Sequence, residues 1–298
     1  MRTEQVPLAV IFNPRSGSVD KETKSDLRES LEQSGRQFQM YIVEEGMDAE
    51  TLALESIKAG SKQLLASGGD GTVMAVINAI LKSGEDVVLS LSPGGTANLI
   101  AAALEIPSDV DEALKIALNG SEKRVDVGKC GDKYFALGVG VGLAEKLVSG
   151  TDEETKDKLG RIAYALAALK EMGTPARAYH LVGPGGPRTV HGVGIAVVNV
   201  GGIGGRIRFA PEGKVDDGLL DVCVLRRLGI WDAIRLASKA LLGGLEDDRA
   251  VDYYQWPGVQ IATEGLFLQI DGESVEDLTP VEITVIPEAV RVTVAGAN

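Results

Sequence analysis

Four short apolar runs, each followed by a stretch of helical spacing, constrain this chain more than any other feature. LAVIF (8–12), FQMYIV (38–43), QLLAS (63–67) and VVLSLS (87–92) have the length of strands. Helix-length segments separate them: residues 20–34, then 48–60 with Asp48 placed to cap, then 73–82, and another after Pro93-Gly94-Gly95-Thr96. Parallel neighbours need such crossovers, so the β-α-β-α rhythm predicts an α/β domain built on a parallel, doubly wound sheet.

The rhythm changes after Lys123. KRVDVGKC, KYFALGVGVG, ARAYHLVG, TVHGVGIAVVNVG, LLDVCVL, VQIAT, LFLQIDGE, VEITVI and AVRVTVAG all read as strands, interrupted by helical patterns at 156–172 and 230–242. Many short strands with turn residues between them predict a mainly antiparallel β-sandwich. The expected boundary gives an α/β domain over residues 1–125, to which the last residues (288–298) can return, and a β-rich domain over 126–298.

Charge and composition narrow the function classes. Acidic residues outnumber basic ones 43 to 30, a net charge of −13, which repels nucleic acid at long range. No nucleic-acid partner is expected. Two cysteines and two histidines are too few for a disulfide framework or a zinc site, so Cys130 and Cys223 read as small buried hydrophobes. No apolar run approaches the roughly 20 residues that span a bilayer, and MRTEQVPLAVIF lacks signal-peptide architecture. A cytoplasmic protein, peripheral at the membrane, is expected.

Three polar, glycine-rich loops follow strands: Asn13-Pro14-Arg15-Ser16-Gly17-Ser18, Gly68-Gly69-Asp70-Gly71-Thr72 and Pro93-Gly94-Gly95-Thr96-Ala97-Asn98. In an open parallel sheet such loops meet at the carboxyl ends of the strands, where ligands bind. Glycines let backbone N–H groups approach phosphate oxygens, and a helix N-terminus adds a favourable dipole. Neither the Walker nor the Rossmann glycine pattern follows the first strand, so a nucleotide site of another kind is expected.

NPxSG, GGDGT, PxGTxN, RVDVG (124–128), PEGKVDDGLLDV (211–222) and IDGE (270–273), in this order, resemble the diacylglycerol kinase catalytic family. That family includes bacterial soluble lipid kinases and is related to sphingosine kinases. GGDGT alone is shared with NAD kinases and phosphofructokinases, whose fold the first domain is expected to share. The resemblance implies a lipid kinase that moves the γ-phosphate of ATP to the hydroxyl of diacylglycerol or a related lipid, with Mg²⁺. It implies a nucleotide-binding first domain and a lipid-binding second one, with transient contact to a membrane surface. Oligomeric state, including a homodimer, is left open.

By the same resemblance, the nucleotide is held by Asn13, Ser16, Gly17, Ser67, Gly68, Gly69, Asp70, Gly71, Thr72, Val73, Gly95, Thr96 and Asn98. Asp70 and Asp126 join a Mg²⁺-linked acidic network. Lys214, Asp217 and Leu219 match a structural Mg²⁺ site, two of them through backbone oxygen. Glu273 matches the general base, with Asp271 beside it. The chemistry is consistent, since phosphoryl transfer needs positioning, charge neutralisation and a carboxylate to take the hydroxyl proton. Asp271-Gly272 is also a strong hairpin-turn signal, and turn and catalysis are compatible. The basic positions Arg206, Arg208, Lys214, Arg226 and Arg227 read as a solvated face or a headgroup surface.

Relatives often carry an Asn-Glu pair where Met74 and Ala75 stand, and an Asp where Leu99 stands. These departures motivate one alternative, a catalytically impaired nucleotide-binding regulator of the same fold. A second alternative, NAD kinase, shares GGDGT, but the β domain has no TPTGSTAY-like segment.

Overall fold

The first apolar run becomes β1 (Leu8–Phe12), buried at every residue. The computed structural model describes residues 7–17, 21–142, 176–203, 207–208, 213–226 and 251–296. The chain divides into two units, residues 1–125 with 288–298, and residues 126–287.

In the first unit β1 is followed by α1 (Lys21–Gln33), β2 (Phe38–Ile42), α2 (Ala49–Lys58), β3 (Gln63–Gly68), α3 (Asp70–Ser83), β4 (Val88–Pro93), α4 (Leu99–Ala103) and α5 (Val110–Asn119). The strands pair in parallel in the order β2-β1-β3-β4. Residues alternate sides along β1. Leu8, Val10 and Phe12 pack with Leu27 and Leu31 of α1 and Leu114 and Ala117 of α5. Helices α2 and α3 pack against each other and against β1 and β3. Helices therefore cover both faces, the doubly wound arrangement.

Helix ends follow local chemistry. Asp48 caps α2 by accepting the N–H of Thr51 at 2.8 Å, and Asp109 caps α5 through Glu112. Gly84 ends α3 in the left-handed conformation (φ 66) that favours glycine. Two boundaries differ from expectation. Helix α3 begins at Asp70, three residues before Val73, because Gly69 acts as its cap and the Asp-Gly-Thr of GGDGT forms its first turn. The single helix expected after the third loop is two, α4 and α5, with Pro107 in the break between them; proline cannot continue a helix.

The chain passes into the second unit within β5 (Ser121–Cys130), at Asp126, and continues with β6 (Lys133–Phe135), β7 (Gly138–Val141), β8 (Arg177–Gly183), β9 (Gly186–Gly192), β10 (Gly194–Val198), β11 (Gly202–Ile203), β12 (Ile207–Arg208) and β13 (Leu220–Leu225). It ends with β14 (Val251–Trp256), β15 (Gly258–Ile261), β16 (Phe267–Ile270), β17 (Glu273–Leu278) and β18 (Val281–Val294), whose last residues belong to the first unit.

Six strands form an antiparallel sheet, β14-β13-β10-β7-β16-β17. Strands β9, β8, β15 and residues 281–284 of β18 form a second antiparallel array. One core joins them: Val139, Ile195, Val222 and Leu268 from the first array meet Tyr179, Leu181, Ile261 and Ile283 from the second. This is a sandwich, as the strand pattern predicts.

VDYYQW (251–256) and ESVEDL (273–278) form strands that no apolar run announces. The second is imposed by pairing with β16 across a two-residue turn. VEITVI and AVRVTVAG lie in one strand rather than two. The helical patterns at 156–172 and 230–242 lie outside the described residues. Cys130 and Cys223 are buried, free, and on strands β5 and β13. Among the described residues no helix is long and apolar enough to cross a membrane.

Candidate functional site

Strand order in the first unit reverses at β1 and β3, since the chain leaves β1 for β2 on one side and returns to β3 on the other. At such a switch point the loops after the two strands separate and leave a crevice. A cavity of about 300 Å³ lies there, lined by Asn13, Ser16, Gly17, Gly69, Asp70, Gly71, Thr72, Gly95, Thr96 and Ala97.

Three loops are locked into one body around it. Asn13 Nδ2 donates to Thr72 Oγ1 at 3.0 Å, while Asn13 Oδ1 accepts the N–H of Arg15 at 3.1 Å. The second and third loops touch backbone to backbone: a Cβ on Gly95 would lie 2.6 Å from the Cα of Gly69, so only glycine permits this approach. Asn98 closes the third loop on itself, accepting from Gly95 N at 2.7 Å and donating to Gly95 O at 2.6 Å.

The two helix N-termini beside the cavity are treated differently. The carboxylate of Asp70 accepts the N–H of Leu99 at 3.0 Å and of Ile100 at 2.9 Å, so α4 is capped by a side chain from α3. Helix α3 has Gly69 as its cap and no side-chain cap hydrogen bond. Its first N–H groups belong to Asp70, Gly71 and Thr72; Thr72 N bonds back to Gly69 O, and Asp70 and Gly71 line the cavity. An open helix start lined by hydroxyls is a site for an anion.

Of the nucleotide residues expected from sequence, nine line this cavity. Ser67 and Val73 are buried behind it, Gly68 pairs with Pro93 in the sheet, and Asn98 holds the third loop from outside. Ala97 lines the cavity and was not expected; it carries no polar signal. Asp126 belongs to the second unit.

The second unit carries its own polar centre. Asp271 and Gly272 both have positive φ (48 and 89), as in the type I′ turn that their sequence favours. Asp271 also accepts three backbone N–H groups, from Ala136 at 2.8 Å, Leu137 at 2.8 Å and Gly138 at 2.9 Å. This fixes the β16–β17 hairpin to the β6–β7 junction. Glu273 follows at the start of β17, paired opposite Ile270, with an exposed side chain.

The loop at 214–219 is closed by Asp217, which accepts from Leu219 N at 3.0 Å and Lys214 N at 3.4 Å. Asp126, 3% exposed, accepts from Gly218 N at 2.7 Å and donates its own N–H to Val215 O at 2.7 Å. Among the described residues no three His, Cys, Asp or Glu side chains converge as a metal cluster. A cation at 214–219 would rest on one carboxylate and backbone carbonyls. That all-oxygen set fits a hard cation such as Mg²⁺, and each Asp217 oxygen keeps a second lone pair beyond its N–H bond.

Asn199 is a buried polar residue that motif reading passes over. It lies just past β10, 3% exposed, and its Nδ2 donates to the carbonyls of Asp126 at 3.0 Å and Ala136 at 3.2 Å. The available signal is one amide at the end of the apolar run IAVVNV.

Of the basic positions, Arg226 is held by Asp252 through two hydrogen bonds. Arg206 and Arg227 lie outside the described residues.

The comparisons agree with both halves. A family model described as the diacylglycerol kinase catalytic domain matches residues 7–130. A second, described as the YegS C-terminal NAD kinase beta sandwich-like domain, matches residues 139–294. The chain is 32% identical to a "Probable lipid kinase YegS-like" of Chromohalobacter salexigens, over 89% of this chain and 86% of the relative. It is 27% identical to a diacylglycerol kinase of Bacillus subtilis, over 89% and 88%. The crystal structure of a diacylglycerol kinase from Bacillus anthracis shares the fold, with a TM-score of 0.77 at 21% identity over 98% of each chain. Yeast NADH kinase shares it more distantly, with a TM-score of 0.50 at 12% identity, over 98% of this chain and 84% of that one.

Proposed function

The chain belongs to the diacylglycerol kinase catalytic-domain family of lipid kinases, and from that premise we propose that it transfers the γ-phosphate of ATP to a hydroxyl of a lipid. The observation that carries the reading is the start of α3, which has Gly69 as its cap and no side-chain cap among the described residues, and which opens to the cavity among three glycine-rich loops.

In this reading the N–H groups of the first turn of α3 and the hydroxyls of Ser16, Thr72 and Thr96 hold the phosphates of ATP. Asn13, Asp70 and Asn98 hold the loops. Their hydrogen bonds go to protein atoms, which keeps the cradle formed before a ligand arrives. The second unit binds the lipid and supplies the base. Glu273, exposed at a hairpin fixed by Asp271, takes the proton from the acceptor hydroxyl, whose oxygen then bonds the phosphorus as the bond to ADP breaks. Lys214, Asp217 and Leu219 would hold a structural Mg²⁺, and an ion bound with ATP would neutralise charge on the phosphoryl oxygens. Asp70 and Asp126 first fix loops through backbone N–H groups, and their remaining lone pairs serve the acidic network. The acceptor is diacylglycerol or a related lipid, met at a membrane surface by a protein that otherwise stays in the cytoplasm.

Purified protein given labelled ATP and a panel of diacylglycerol, phosphatidylglycerol, a sphingoid base and undecaprenol tests this directly. Label is expected in the organic extract. Label found only on a water-soluble acceptor overturns the reading. ATP binding without turnover, the same for wild type and Glu273→Gln, favours a nucleotide-binding regulator instead.

A further inference from the structure

Three backbone segments of the second unit meet at Asn199. Both hydrogens of its side-chain amide are used, on Asp126 O and Ala136 O, and its main-chain N–H goes to Leu137 O at 2.9 Å. Two carbonyl acceptors fix the orientation of the amide, since the flipped form would turn its oxygen against them. Asn199 Oδ1 is buried, and among the described residues no donor reaches it. A side chain serving only as packing gains nothing from a buried amide, because each of its polar atoms must be taken from water. The two donated bonds are therefore what the position uses.

Those bonds reach the two segments that organise the proposed chemistry. The residue at one carbonyl, Asp126, holds the 214–219 loop through Gly218 N at 2.7 Å. The residue at the other, Ala136, donates its N–H to the Asp271 carboxylate at 2.8 Å. Glu273 lies two residues beyond Asp271, on the hairpin that this carboxylate anchors. An unbroken chain of hydrogen bonds thus runs from the metal-type loop, through Asp126, Asn199 and Ala136, to the hairpin of the base.

We infer that Asn199 is a positioning residue that sets Glu273 relative to the 214–219 loop, an inference that rests on the reading of Glu273 as base. It touches neither nucleotide nor acceptor in this role. Losing its donors leaves nucleotide affinity alone and misaligns the base. The β6–β7 junction, whose carbonyls it holds, then opens more readily.

Four proteins test this: wild type, Asn199→Leu, Glu273→Gln and the double variant. Asn199→Leu is expected to lower kcat about tenfold to a hundredfold, with the KM for ATP within about twofold of wild type. The double variant is expected to turn over no more slowly than Glu273→Gln alone, because the two changes remove one function. Hydrogen exchange at the amides of residues 136–138 should quicken in Asn199→Leu. Losses that multiply in the double variant, or a raised KM with kcat unchanged, overturn the proposal. If Asn199→Leu does not fold, Asn199→Ser, which keeps one donor, should give an intermediate kcat; wild-type kcat in that variant also overturns it. Failure of the underlying reading shows separately, as wild type without lipid product or Glu273→Gln with undiminished turnover. In that event the proposal falls with the reading it rests on, and with that reading intact unchanged exchange at 136–138 also sinks it.

Discussion

The carboxylate of Asp70 caps the backbone of Leu99, 29 residues away, at 3.0 Å, and of Ile100 at 2.9 Å. An acidic residue in the first turn of one helix thus closes the start of the next, and leaves its own helix open. Asp70→Ala should lower stability by about 1–2 kcal/mol, the worth of a strong cap, and weaken ATP binding at least tenfold. Thermal melts and ATP titration measure the two effects. Unchanged ATP affinity would mean that the loop after β4 does not shape the nucleotide site.

Glycines in the cradle separate into two kinds. A Cβ at Gly95 meets Gly69 Cα at 2.6 Å, whereas one at Gly71 meets nothing within 4 Å. Gly95→Ala should destabilise the first unit and abolish ATP binding. Gly71→Ala should raise stability by about 0.5–1 kcal/mol, as alanine does within helices, yet lose ATP affinity because its methyl enters the phosphate space. A Gly71→Ala protein that binds ATP normally would count against α3 as the phosphate site.

Asp271 and Glu273 should part company on substitution. Glu273→Gln is expected to cut kcat about a hundredfold or more while melting temperature and ATP binding hold. Asp271→Ala strands three N–H groups and should cost stability too, with even one stranded buried group worth about 1–3 kcal/mol. Calorimetry beside initial rates distinguishes them.

Magnesium should act on the 214–219 loop. Millimolar Mg²⁺ is expected to raise the melting temperature of wild type, by mass action on the folded state, and to leave Asp217→Ala unchanged. An equal rise in both proteins would place the ion elsewhere.

Asp48 gives a pH signature. The hydroxyl of Thr51, at 2.7 Å, and then its backbone N–H, at 2.8 Å, hold the Asp48 carboxyl below the ordinary aspartate range. A lowered folded-state pKa contributes stability that is present above the unfolded value and is lost as pH falls through the folded one. Asp48→Ala should therefore cost about 1 kcal/mol at neutral pH, and the difference from wild type should close in strong acid. Denaturant midpoints across pH 2–7 check it, and a constant difference refutes it.

The strands of the first unit are legible because parallel strands covered on both faces must be apolar throughout, as β1 is. The cap at Asp48 is legible because its partner is three residues away. Asp70 is harder. Its glycines mark a tight approach, but its partners sit in another loop, and nothing local distinguishes a cap from a metal carrier. Strand β17 is hidden because Glu273, Glu276 and Asp277 mask any apolar pattern, and pairing with β16 decides its conformation. Asn199 is hidden for a similar reason, since its worth lies in two carbonyls more than 60 residues distant. Motif order located the loops, whereas the hydrogen bonds that connect them appear only in three dimensions.

Part of the first unit comes from the far end of the chain. Arg291 and Val292 pair in parallel with β4, Thr293 bonds Ser90 at 3.0 Å, and Arg291 meets Asp86 and Glu122. During synthesis, β4 emerges with its outer edge bare and waits for residues 288–294. At translation rates that interval is on the order of ten seconds. A nascent first unit therefore exposes a sheet edge to other chains, and a ribosome that stalls in the β-rich half leaves a product prone to join neighbours.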